Sequence, residues 1–181
     1  YCRHRANLLE QAADTSRKMQ KYLRLLNLRL DVVVKDVTGL TGLSIIDAIC
    51  KGEMNPEKLA SLRHGNCKKS EQEIAKALQS NGRKDLLFSL THEYELYQIF
   101  QRKISECDKQ IQKLLNEQIN NDDNKKHHFI EGKVHKRLNK NNPDININLL
   151  SYQYFEGVDL LAIEGVSHST VLTLMSEVGH G

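Results

Sequence analysis

Residues 83–119, RKDLLFSLTHEYELYQIFQRKISECDKQIQKLLNEQI, form a run of thirty-seven residues without Gly or Pro. Within it Tyr97, Phe100, Ile104, Cys107, Ile111 and Leu114 recur at spacings of 3, 4, 3, 4 and 3. Apolar side chains at that spacing fall on one narrow stripe of an α-helix, and Arg102, Lys103, Glu106, Lys109 and Lys113 fall outside it, free to stay in water. At about 1.5 Å rise per residue the helix is roughly 55 Å long, so it must lie against a partner along its length. Leu90 and Tyr94 extend the stripe towards the N-terminus, and Leu86, Leu87 and Phe88 widen it enough to take a second helix.

A second seam precedes it. Leu9, Ala12, Ser16, Met19, Leu23, Leu26 and Leu30 repeat at 3, 4, 3, 4, 3 and 4, and the two seams are able to pack together. The expectation is a helix that continues to about Asp36, although the β-branched Val32, Val33, Val34 and Val37 also suit a short strand. Beside this stripe Arg17, Lys21 and Arg24 stand at i, i+4 and i+7, with Lys18 adjacent, and make a basic ridge. Such a ridge either lies solvated or binds a polyanion.

Between the two long helices the punctuation predicts three short ones. Thr38-Gly39-Leu40-Thr41-Gly42 reads as a turn, and the apolar run Leu43, Ile45, Ile46, Ala48, Ile49 behind it ends at Gly52. Asn55-Pro56-Glu57 is a helix start, with Asn able to cap free N–H groups and Pro suited to the first position, and that helix is expected to close near Gly65. Ser70-Glu71-Gln72-Glu73 is a capping box leading into Ile74, Ala75, Ala77 and Leu78, stopped by Asn81-Gly82. The fold class is therefore all-α, with residues 1–119 a helical coiled-coil region.

Residues 120–148 have another character. Eight Asn stand among Lys125, Lys126, His127, His128, Lys133, His135, Lys136, Arg137 and Lys140, which reads as a mobile basic linker. From 149 to 181 the chain offers a short apolar helix, a tight Gly165-Val166-Ser167 turn and a second amphipathic helix. That is similar to a helix-hairpin-helix unit, in which turn N–H groups and a helix N-terminus face a phosphate, with Gly165, Ser167 and Thr170 as the candidate contacts. Ser167 stands where such motifs usually carry a second Gly.

Composition bounds the rest. With 39% hydrophobic and 6% aromatic residues and no Trp among 181, an elongated helical protein is expected, and no apolar run approaches a membrane span. The net charge of +3 is uneven, since residues 1–35 hold eight Lys/Arg against three Asp/Glu. Cys2, Cys50, Cys67 and Cys107 are widely spaced and are expected to be reduced cytosolic thiols. His64 and Cys67 have the spacing of half a zinc site, but no second pair follows nearby. Neither a phosphate loop nor a nucleophile elbow occurs. A first residue of Tyr and an end on Gly-His-Gly are expected of an excised piece.

The order of several blocks carries a resemblance: Tyr1-Cys2-Arg3-His4-Arg5; Met19-Gln20-Lys21 ahead of Leu26-Asn27-Leu28; Lys35-Asp36-Val37-Thr38-Gly39-Leu40-Thr41-Gly42 with Ile45-Ile46 and Ala48-Ile49; and Gly52-Glu53 before Leu59-Ala60. Later come Gly157-Val158-Asp159-Leu160, Ile163-Glu164-Gly165-Val166-Ser167 and Ser176-Glu177-Val178-Gly179. Together they resemble a DEDD-type transposase of the insertion-sequence one-ten family, from the coiled-coil middle to the opening of its C-terminal domain. The resemblance implies a bacterial, cytoplasmic recombinase that acts on DNA under a structured guide RNA, with four acidic ligands for a divalent metal such as Mg upstream and a nucleophilic serine downstream. Neither catalytic motif has a matching position here, so the resemblance implies no catalytic residue and no cofactor for this chain. What it implies for the chain is assembly and nucleic-acid holding. A structural coiled-coil spacer without nucleic-acid contact is the alternative. Self-association is expected through Tyr97, Phe100, Ile104, Ile111 and Leu114, because the Asn-rich stretch behind them has little apolar surface to cover the seam. An intramolecular pairing with the Leu9 to Leu30 seam is the rival arrangement.

Overall fold

A computed structural model describes residues 1–120 and 140–178. The protein is all-helical. In chain order come α1 (Cys2–Leu25), α2 (Leu40–Cys50), α3 (Pro56–Ser61), α4 (Glu71–Ala77), α5 (Lys84–Asn120), α6 (Ile147–Tyr154) and α7 (His168–Glu177), with 3-10 turns at Leu30–Val32 and Leu160–Ala162. Glu10–Gln101 form one compact unit; Tyr1–Leu9 and Arg102–Gly181 form another.

Helix α1 stops earlier than its apolar pattern suggests. Asn27 adopts φ 60°, the Leu28 N–H donates to Leu23 O (2.8 Å) and the Asn27 N–H to Arg24 O (3.0 Å), the reversed pairing that closes a helix on a left-handed residue. Asn tolerates that conformation because its short amide bonds locally, and here Asn27 Nδ2 donates to Gln79 O (2.8 Å). The expected continuation to Asp36 is thereby corrected, as is the strand over Val32 to Val37, since Leu30–Val32 is a 3-10 turn. The stripe that α1 buries also turns slightly from the expected one. Arg5, Leu8, Ala12, Thr15, Met19, Leu23 and Leu26 are buried, while Leu9 and Ser16 are only half-buried.

The three expected short helices are α2, α3 and α4. Asn55 caps α3 by accepting from the N–H groups of Glu57 (2.9 Å) and Lys58 (3.1 Å). Ser70 and Glu73 make the reciprocal capping box of α4. Helix α3 ends at Ser61 rather than near Gly65. The stretch 38–42 is not one turn: Gly39 is the N-cap of α2 and Gly42 lies buried inside it. A Cβ on Gly42 would stand 2.0 Å from Val37 O, so the backbone of Val37 occupies the space that any side chain would need. Behind this contact the core of the unit is aliphatic: Met19, Leu23, Leu26, Leu28, Leu30, Ile45, Ile46, Ile49, Leu59, Ile74, Leu78 and Leu90 are each less than 2% exposed.

In the other unit, Ile111 and Leu115 of α5 share a cluster with Ile147, Leu150, Tyr154, Leu161, Val171, Leu172 and Met175. Helix α6 begins inside the stretch read as linker, capped by Asn146, whose side chain accepts from Leu149 N–H (3.2 Å). The basic residues expected between Lys125 and Arg137 lie outside the described residues. Tyr154 donates its hydroxyl to Met175 O (3.0 Å), which fixes α6 to α7 from within the cluster.

Candidate nucleic-acid interface

Helix α1 presents the ridge as its spacing requires. The side chains of Arg17 and Arg24 are 67% and 60% exposed, and Lys18 and Lys21 are exposed beside them. Arg17, Gln20, Lys21, Arg24 and Leu25 line a shallow groove of about 430 Å³. The apolar edge of this groove is Leu25, itself exposed because it faces away from the buried Leu23 and Leu26.

Carboxylates orient the cations without cancelling them. Asp14 accepts from both Arg17 (3.4 Å) and Lys18 (3.2 Å), and Glu93 of α5 lies 3.9 Å from Lys18. The hydrogen bond to Asp14 and then the charge of Glu93 hold the Lys18 ammonium above its ordinary pKa, so it stays charged. Asp31 lies 3.0 Å from Arg24 Nε and 3.6 Å from Arg29 Nε. Arg17, Lys18, Arg24 and Arg29 thus share Asp14, Asp31 and Glu93, and among the described residues no carboxylate lies within ion-pair distance of Lys21. The Arg17 and Lys18 pairs with Asp14 are exposed and weak, while the Asp31 and Glu93 carboxylates are half-buried.

The second candidate lies at the start of α7. Ile163 O accepts from Val166 N–H (3.1 Å), and Gly165 adopts φ 83°, the positive value that this turn requires at its third residue. Ser167 is the N-cap of α7: its hydroxyl accepts from Thr170 N–H (3.1 Å) and lies 2.9 Å from Thr170 Oγ1. Capping accounts for a Ser where a hairpin motif would carry Gly. Gly165, Ser167 and Thr170 do come together, but Ser167 already engages the Thr170 N–H, and the exposed Glu164 stands within the turn. The expected first helix of the hairpin is the single 3-10 turn Leu160–Ala162. The ridge and this turn belong to different compact units.

No family model, curated protein or solved structure matches the chain.

The expected oligomer seam divides. Tyr97, Ile104 and Ile111 are buried within the chain, Phe100 is half-buried, and Leu114 is 41% exposed because Leu115 takes its place inside. What covers Ile111 and Leu115 is α6 and α7, elements that the reading of residues 120–148 as bare linker left out. The premise of an uncovered seam is therefore corrected at its distal end. Among the described residues no three His, Cys, Asp or Glu side chains gather where together they could hold a metal ion. His64 Nδ1 instead accepts from the Asn66 N–H (3.3 Å), and Cys67 lies against Val33 O. Among the described residues no helix is long and apolar enough to cross a membrane.

Asp31 stands beside the ridge in sequence and is expected to form surface ion pairs, as it does with Arg24 and Arg29, whereas Glu93 of α5 is the counter-charge that sequence reasoning did not name. Asp31 reaches both Arg24 and Arg29 because the chain reverses at Asn27, and a helix continued to Asp36 hides that approach. The polar type of Asn27 was the available signal.

Proposed function

We propose that this chain is part of a DEDD-type transposase of the insertion-sequence one-ten family and that its role is to hold nucleic acid, DNA or a structured guide RNA, on the outer face of α1. The observation that carries the reading is the exposed row of Arg17, Lys21 and Arg24 along one groove, in which Lys21 has no carboxylate within ion-pair distance among the described residues. Along a helix, i, i+4 and i+7 stand about 6 Å and 4.5 Å apart, a spacing on which successive phosphates of one strand can sit. Guanidinium and ammonium groups on phosphates position a strand without reading its bases, so binding would be salt-sensitive and nearly independent of sequence. The turn at Gly165, Ser167 and Thr170 would add at most a backbone contact from the first turn of α7. Catalysis, with its divalent metal and serine, would reside elsewhere in the parent protein, in the bacterial cytoplasm. Self-association through α5 belongs to the same proposal, with the exposed Leu114 rather than the buried Ile104 and Ile111 as its apolar contact.

Titration of a duplex and of a folded RNA across a salt series tests the reading. Replacing Arg17, Lys21 and Arg24 by Ala is expected to weaken binding and to flatten the plot of log affinity against log salt by about 2 to 3. An unchanged slope, or no binding at low salt by the wild-type chain, supports the structural spacer instead.

A further inference from the structure

Within the unit formed by Tyr1–Leu9 and Arg102–Gly181, Arg5 of α1 and Asp108 of α5 form an ion pair whose side chains are 6% and 5% exposed. Packing alone does not call for ions at such a site, because apolar residues of similar volume commonly fill it as well. These two also hold backbone. Arg5 Nη2 donates to Asn141 O (3.0 Å), and Asp108 Oδ2 accepts the Asp144 N–H (2.9 Å). Between those two points Asn142 is buried, and its Oδ1 accepts from Ser169 Oγ (3.3 Å) in the first turn of α7. Residues 141–144 are thus gripped at each end by one ion pair and tied in the middle to α7.

We infer that the Arg5–Asp108 pair is a latch that selects the seat of residues 140–178 on α1 and α5, and that breaking it releases α6 and α7 while the rest of the chain stays folded. The apolar cluster around Ile111 and Leu115 is non-directional and accepts a shifted docking at small cost. A buried guanidinium and carboxylate, each with a specific backbone partner, accept one arrangement. The N-terminal turns of α1 therefore control the C-terminal helices through a side chain 103 positions away in sequence. This inference does not depend on what the ridge binds.

Hydrogen exchange on the 181-residue chain tests it. Asp108→Asn and Arg5→Met each leave one former partner buried without its counter-charge, and exchange over residues 147–154 and 168–177 is expected to rise about a hundredfold or more, with residues 40–50 and 56–61 unchanged. The double variant Arg5→Met/Asp108→Leu removes both charges and refills the space. Under the latch it still exchanges fast at the Asp144 amide and across α6 and α7, since the Arg5 donor to Asn141 O and the Asp108 acceptor for the Asp144 N–H are both gone. Recovered protection in the double variant would show that the pair only fills volume, and unchanged protection in the single variants would show that it holds nothing. Loss of protection in α2 and α3 as well would make it a general requirement of the fold rather than a latch.

Discussion

The two compact units are held by different physics. In Glu10–Gln101 the buried polar side chains are Thr15 and Thr41, small uncharged hydroxyls with one backbone partner each: Thr15 donates to Gln11 O (2.9 Å) and Thr41 accepts from His64 N–H (2.9 Å). In the other unit Arg5, Asp108, Asn142, Ser151 and His168 are all buried. An aliphatic core stabilises in proportion to its area and does not depend on any one pair, whereas a buried ion pair adds little net stability and discriminates strongly between arrangements. The first unit is therefore expected to fail by erosion of its core, and the second by misplacement of its parts.

The largest expected effect tests the aliphatic side of this comparison. Ile46→Ala removes a fully buried side chain of α2 and should destabilise Glu10–Gln101 by about 2 to 5 kcal/mol in denaturant unfolding. Ile147→Ala, equally buried in the C-terminal cluster, should cost about as much but raise exchange in α6 and α7 without moving α2. A single shared transition lowered equally by both variants would break the comparison.

Next in size is the cap of α3. Asn55→Ala frees the N–H groups of Glu57 and Lys58 and should cost about 0.5 to 2 kcal/mol, measured as a shift in the denaturation midpoint of the first unit. No change in that midpoint would mean that α3 is held by Leu59 and Ala60 alone.

The smallest effect is a pH dependence. Lys69, followed by the Ser70 backbone and hydroxyl, holds the Glu73 carboxyl at about 2, well below its ordinary value of 4.5. A carboxylate with a depressed folded pKa contributes stability that is fully present above about 4.5 and is lost as the pH falls towards about 2. Over that window the first unit should lose stability more steeply in the wild type than in Glu73→Gln, which keeps an acceptor for the Ser70 N–H but does not titrate. Parallel pH profiles would sink this prediction.

What the sequence determined by itself is what short-range chemistry decides. The long helix, the three short helices between it and α1, the Asn55 cap, the Ser70–Glu73 box and the i, i+4, i+7 ridge all follow from side chains acting within one or two turns of their own backbone. Tertiary structure decided the rest, because the deciding partner lies far away in sequence. Gln79 O, 52 positions away, gives Asn27 the partner that ends α1. Leu8 and Thr15 displace Leu9 and Ser16 from the buried stripe, a rotation of one position that the heptad count cannot register. The same limit applies to the candidate site: the cations, and Asp31 as a surface partner beside them, were legible in the sequence, whereas Glu93 reaches Lys18 only from a neighbouring helix. Leu115 rather than Leu114 turns inward for a similar reason, since α6 and α7 arrive from beyond residue 140 and choose which side of α5 they cover. Periodicity says that a helix has an apolar face, but the energy that selects the covering element comes from surfaces that meet only in the folded chain.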